Sequence, residues 1–216
     1  MRLRKCLIRR DDGLWIDPLA DLGMMIVTIE APMPVPQTTY VELPGRDGVL
    51  DLSEWAGVLR FLRREIHVVL RDLKGNKDVL INAIYGRKLR LFTDEDTDYY
   101  FDGRCDKLDV VFKKPETWDI TIGVTCHPYK LRQRSTVVEV TTTAIDTQIA
   151  LKAEQRPAVP VITANGACTI TVGEVEHECT AGTFQLPDLL VTSTAQIVTV
   201  AESGITLSFS WQDGRF

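Results

Sequence analysis

No stretch of this 216-residue chain is apolar for long enough to cross a bilayer as a helix; the longest runs are GMMIVTI at 23–29 and DLLVTSTAQIVTV at 188–200. A span needs roughly 18 to 20 such residues. Phosphate-cradling loops are missing as well. Neither G-x-G-x-x-G nor G-x-x-x-x-G-K-[ST] occurs and the glycines fall in turns, so no cofactor is expected. Histidine is scarce, and there is no G-x-S-x-G, no H-E-x-x-H and no cysteine set beside a helix start to supply a nucleophile with its base. The five cysteines (Cys6, Cys105, Cys126, Cys168, Cys179) are odd in number, dispersed and without a C-x-x-C pair. That pattern favours free thiols over a disulfide framework or a metal site.

Positive charge is nearly absent from the C-terminal part. Residues 157–216 hold six acids against Arg215 alone, while the first 156 hold 24 of each sign, so the whole net charge of −5 belongs to the end of the chain. Such a balance offers no basic field to a phosphate backbone. The N-terminal MRLRKCLIRRDD is basic, but no signal-length apolar core or small-residue cleavage site follows, so synthesis is expected to finish in a cytoplasm.

What the chain does contain is alternation. With 44% apolar and 25% charged residues it has an ordinary soluble composition, sized for one large domain or two small ones. REIHVVL (64–70), KLRLF (88–92), KLDVVF (107–112) and WDITIGVTC (118–126) read as half-buried strands, with Trp118, Ile120, Ile122, Val124 and Cys126 on one face. YVELPGRDGVLDLSEW (40–55) reads as strand, charged turn, strand. APMPVPQ (31–37) is too proline-rich for a helix or central strand and links an N-terminal hairpin-like piece to the rest. GNKDVLINAIYGRK (75–88) alone has helical spacing, through Val79, Leu80, Ala83 and Ile84, with Asn76 as N-cap and Gly86 beyond the end.

After AEQRPAVP (153–160) charges thin out, and ACTITV, QIVTV and GITLSFSW alternate between glycine-containing turns, with Ile205, Leu207, Phe209 and Trp211 on one face. The expected fold is mainly β (α+β). It has an N-terminal β-sandwich domain with one helix over 1–135 and a small, reduced galectin- or jelly-roll-like β-sandwich over 136–216.

Three constellations invite chemistry and each has a plainer reading. TDEDTDYYFDG (93–103) begins like a calcium loop, but counted from Asp94 the required Gly and Glu are Tyr99 and Cys105. An acidic turn between strands is the better reading. His177 and Cys179 lie two apart with Cys168 upstream and lack a paired-ligand spacing, while His67 and His127 sit in structural contexts. Trp15, Trp55, Trp118 and Trp211 are scattered and fit core or interface packing better than a sugar-stacking platform.

Taken in order, YVELPGRDGVLDLS, FLRREIHVVL, the lone helix, YGRKLRLFTDEDTDYYFDGR and WDITIGVTCHPYK make residues 40–130 resemble the distal tail proteins of long-tailed bacteriophages (siphophages), a family also called phage tail component. PAVPVITANGACTITV and GITLSFSWQDGRF are similar more loosely. His127 stands where the family often has Asp, and Arg63 where it often has Asn.

The resemblance implies a non-enzymatic structural protein of the virion tail: six copies in a ring that joins the tail tube to the baseplate hub. Its partners would be further copies, the tail tube protein and the tail hub or tail-associated protein, with a receptor-binding protein and the tape measure as further candidates. It implies no membrane and no cofactor, with DNA only as cargo passing through the ring. Within the matching motifs the candidates for turn formation or subunit contact are Gly45, Arg46, Asp47, Gly48, Arg63, Asp96, Tyr99, Tyr100, Gly103, Pro128 and Tyr129. Arg46 and Asp47 would brace their own turn or pair across a subunit boundary. The alternatives are a carbohydrate-binding module, suggested by the C-terminal strands and the tryptophans, and a hydrolase, suggested by the acidic cluster.

Overall fold

The computed structural model describes residues 5–42, 44–45, 47–53, 58–113 and 117–216. The chain packs as two units, residues 1–130 with Phe216 and residues 131–215. In the first unit the elements are β1 (Cys6–Arg10), β2 (Trp15–Ile16), β3 (Met24–Glu30), β4 (Tyr40–Glu42), β5 (Val49–Asp51), β6 (Arg64–Asp72), α1 (Lys77–Ile84), β7 (Lys88–Thr93), β8 (Tyr99–Lys113) and β9 (Thr117–Cys126). The short β10 (Lys130–Arg132) spans the junction in sequence.

Period-two patterning builds the larger unit. Along β6 every second residue is buried, and Ile120, Ile122, Val124 and Cys126 of β9 are fully buried on one face. A hydrogen-bonded path runs β2-β1-β7-β8-β9-β6-β3, all antiparallel along its length. Ile8, Leu89 and Leu91 from one arm of this path share a single core with Ile66, Leu70, Ile120 and Ile122 from the other. The sandwich is therefore one sheet that bends back over its own apolar face.

Strand β8 makes that bend possible. Its early residues pair with β7 (Leu89↔Gly103, Leu91↔Phe101), and from Gly103 onward it pairs with β9, with a register shift between Cys105 and Lys107. A bulge of this kind sharpens local twist and lets a strand pass from one layer to the next. Gly103 pairs with both neighbours at the crossing. A Cβ there would lie 2.5 Å from the Thr125 carbonyl oxygen and 2.7 Å from Cys126 Sγ, so the close strand approach excludes any side chain.

The helix forms where expected and buries Leu80 and Ile84, while Val79 stays exposed. Its N-terminus is capped differently from the sequence expectation. Asn76 occupies the N-cap position without a side-chain cap bond, and its Nδ2 donates to the Leu22 carbonyl at 2.9 Å. The buried carboxylate of Asp72 takes over, accepting the backbone N–H of Lys74 (3.0 Å), Gly75 (2.9 Å) and Lys77 (2.7 Å). Asn76 is thus committed to tying the 22–23 loop to the helix start.

The second unit contains β11 (Thr136–Thr141), β12 (Thr147–Leu151), β13 (Val161–Ala164), β14 (Cys168–Val172), β15 (Val175–Cys179), β16 (Gly182–Gln185), β17 (Gln196–Val200), β18 (Thr206–Trp211) and β19 (Gly214–Arg215). Eight of these form two four-stranded sheets, β11-β18-β13-β16 and β12-β17-β14-β15. Leu207, Phe209 and Trp211 of one sheet and Ile170, Val198 and Val200 of the other meet in one core. That is the small sandwich the alternation predicts. Buried Asp213 accepts from Trp211 Nε1 (2.9 Å), the Glu154 amide (3.1 Å) and the Thr136 hydroxyl, so its charge is fully hydrogen-bonded.

Candidate functional site

Two surfaces of the larger unit stand out. The first is an arm spanning residues 31–62, between β3 and β6. The proline-rich segment is held to the returning chain by a Pro36↔Phe61 bridge and by the amides of Gln37 and Leu62, which donate to the carbonyls of Arg60 and Val35 at 2.8 Å each. Beyond it, β4 and β5 pair as an isolated two-stranded sheet in the register Tyr40↔Asp51, Val41↔Leu50, Glu42↔Val49. Both glycines of the connecting turn adopt positive φ, 78° at Gly45 and 91° at Gly48, where side-chain-bearing residues are strained.

Every described residue of this hairpin is exposed, Tyr40 by 57% and Val49 by 56%, and Met33, Val35 and Leu62 are exposed along the stem. None of the arm's described residues belongs to the unit's core cluster. A lone two-stranded hairpin is marginal in water, and apolar side chains on such an element favour a partner surface. Polar bonds stiffen its base: the Thr39 amide donates to Ser53 Oγ (3.0 Å) and the Ser53 amide to Asp51 Oδ1 (2.9 Å). Bonds from Ser53 hold the exposed Asp51 carboxyl below its ordinary value.

The second surface is a basic concavity that residue averages along the chain do not reveal. A cavity of about 330 Å³ is lined by Arg9, Arg10, Asp11, Lys88, Leu89, Arg90 and Asp102. Another of about 170 Å³ shares Lys88 and Asp102 with it and adds Arg63, Arg104 and His127. Alternation along β1, β7 and β8 puts Arg9, Lys88, Arg90 and Arg104 on the face opposite the core, since Ile8, Leu89, Leu91 and Cys105 point inward. Aromatic rings lie among them: Trp15 packs at a tilt against Phe92 and Phe92 against Tyr100 (centroids 5.0 and 5.4 Å), with Arg9 over Trp15 and Arg90 over Tyr100 at 5.3 and 5.0 Å.

The residues singled out from sequence divide between these surfaces and the framework. Gly45, Asp47 and Gly48 are at the tip of the arm, whereas Arg46 and Trp55 lie outside the described residues, as does the expected Arg46 pairing. Arg63 is exposed and lines the smaller cavity, whose wall also includes Gly103. Asp96 is an intramolecular brace: its carboxylate faces Lys130 Nζ at 3.3 Å in the turn between β7 and β8. Tyr99 and Tyr100 are buried. Pro128 leads into Tyr129, whose ring stacks on Phe216 (5.0 Å) and meets Phe61 edge-on (5.9 Å).

Arg64, which the sequence reading passed over, is buried with its guanidinium 4.8 Å from the centroid of Phe101 and one nitrogen 3.4 Å from the Pro32 carbonyl. Burial pulls its pKa below the ordinary arginine value. Its other two nitrogens find no hydrogen-bond partner among the described residues.

Residues 94–98 form a turn between β7 and β8, and no group of three or more His, Cys, Asp or Glu side chains gathers as a metal site among the described residues. In the small sandwich the aromatic residues are Phe184, Phe209 and Trp211, of which Phe209 and Trp211 are buried and Phe184 packs against the core. That unit offers no exposed ring for sugar stacking.

No family model and no curated protein sequence matches the chain. Among solved structures, the fold is similar to that of Dit (gp 19.1) of phage SPP1, described as a paradigm of the hub adsorption apparatus in phages infecting Gram-positive bacteria. The likeness has a TM-score of 0.67 at 12% identity and covers 96% of this chain and 98% of that one, so the two proteins share their architecture from end to end.

Proposed function

We propose that the chain is a structural component of a phage tail, a distal tail protein that closes into a ring of six copies. The ring joins the tail tube to the hub and host-binding proteins, and in this reading the chain resides in the virion tail, made in the cytoplasm of the host bacterium. The observation that carries the proposal is the end-to-end likeness to the SPP1 protein across both units. The exposed arm agrees with it. A ring is a cycle of heterologous contacts, so each copy must present two different complementary surfaces. A hairpin with apolar side chains, whose outer edges are unpaired among the described residues, is a surface of that kind.

The basic concavity supplies a second surface of different character. Its cations favour an acidic protein neighbour, with DNA only passing through the ring; electrostatic matching of this type fixes orientation. Negative-stain imaging and native mass spectrometry of the purified chain at high concentration test the proposal. Hollow sixfold particles are expected. A chain that stays monomeric at all concentrations and fails to bind tube or hub protein would overturn it.

A further inference from the structure

The small sandwich places two thiols opposite one another. In the β14–β15 hairpin the register runs Val172↔Val175, Thr171↔Glu176, Ile170↔His177, Thr169↔Glu178 and Cys168↔Cys179. Directly opposed residues project to the same side of the sheet. Cys168 is buried, and Cys179 is half-buried against the same core. The two are close enough for charge on one to oppose ionisation of the other. We propose that Cys168 and Cys179 are an oxidisable pair whose disulfide closes the open end of this hairpin. The chemistry belongs to the small unit alone and stands whether or not the chain joins a phage tail.

Geometry permits the bond. Opposed residues in an antiparallel ladder have Cα atoms about 4.5 or 5.5 Å apart, inside the disulfide range of roughly 4.4 to 6.8 Å. Counting back from the two-residue turn Gly173–Glu174, Val172 and Val175 form a hydrogen-bonded pair, and by alternation so do Cys168 and Cys179. In such pairs the Cβ atoms stand wider than a relaxed disulfide prefers, so closure must draw the strand ends together. Two features allow that movement. Cys168 begins β14 and Cys179 ends β15, and β15 is an edge strand with no neighbour on its other side in the sheet order. A bridge formed under such strain is readily reduced, which makes it reversible.

The oxidant is a low-molecular-weight disulfide of the glutathione type. Cys179, the more exposed thiol, loses its proton and attacks one sulfur of the reagent; a mixed disulfide forms and one reagent thiolate leaves. The Cys168 thiolate then attacks the Cys179 sulfur, and the second reagent thiolate departs. The protein loses two electrons and two protons, and the reagent is reduced to two thiols. Burial raises both cysteine pKa values, with the nearby Glu202 carboxylate adding to the effect, so exchange should accelerate as the pH is raised above neutrality.

The test uses the full chain incubated with oxidised glutathione at alkaline pH, then denatured, alkylated and mapped by peptide mass. Two of the five thiols should escape alkylation, the Cys168–Cys179 link should be found within one chain, and dithiothreitol should restore both. A Cys168→Ala variant should instead accumulate glutathione on Cys179. The proposal is overturned if both cysteines remain alkylatable while a reference peptide thiol is oxidised. It also fails if wild-type Cys179 holds a lasting glutathione adduct, if the link joins two chains, or if the variant gains no adduct.

Discussion

Asp72 shows how much local order one carboxylate can hold. It is buried and accepts three backbone N–H groups at the turn into the helix, so Asp72→Ala leaves those donors without their acceptor. A loss of about 1–3 kcal/mol is expected in urea unfolding at neutral pH. Gly103 is constrained by space. Its added methyl would press on the backbone oxygen of Thr125, which cannot swing aside, so Gly103→Ala should cost about 1–3 kcal/mol in the same assay. Titration gives a third expectation. Hydrogen bonds from Arg71 (2.7 and 2.9 Å) lower the Asp119 pKa, and the Thr169 amide does the same for Glu202. Stability from such groups is complete above the unfolded carboxylate value and is lost as pH falls through the lowered folded value. Acid should therefore destabilise the protein below about pH 4, and the double variant Asp119→Asn, Glu202→Gln should flatten that slope in melts recorded from pH 5 to 2.

Among the elements, the arm and the strands around it respond to different demands. Replacing residues 38–53 by a short Gly-Ser link removes no described residue of the core cluster. The melting temperature of the larger unit should stay put while self-association, followed by sedimentation, disappears; a fall in stability with assembly intact would contradict the role given to the arm. The strands were legible in the sequence because burial of one face imposes period two, and that pattern is plain in REIHVVL and WDITIGVTC. The helix was legible for the matching reason. Its cap was not, since Asp72 reaches Lys77 across five residues, outside the local window in which Asn76 looks suitable. The double pairing of β8 was hidden too, because nothing in the alternation of residues 99–113 says which neighbour each half will choose. The basic concavity escaped because Arg9, Lys88 and Arg104 become neighbours only when β1 and β8 pair on either side of β7, and Arg63 joins them only when β6 and β8 pair with β9.

At the level of the whole molecule, two separate cores mean that damage should stay where it is made. Phe209 is fully buried in the small sandwich, and Phe209→Ala should cost that unit about 3–5 kcal/mol. Hydrogen exchange should show faster opening across residues 131–215, with protection of β6 and β9 unchanged. The arm has a further meaning when the chain is viewed as something that descends and varies. Both ends of the excursion are fixed by ladder bonds, Glu30 to His67 on one side and Arg64 to Cys126 on the other. Chain inserted between anchored ends adds an entropic penalty that grows only logarithmically, about 0.6 kcal/mol per doubling. The span between these strands is therefore where a lineage can gain or shed residues most freely, refitting the protein to altered neighbours without disturbing its frame.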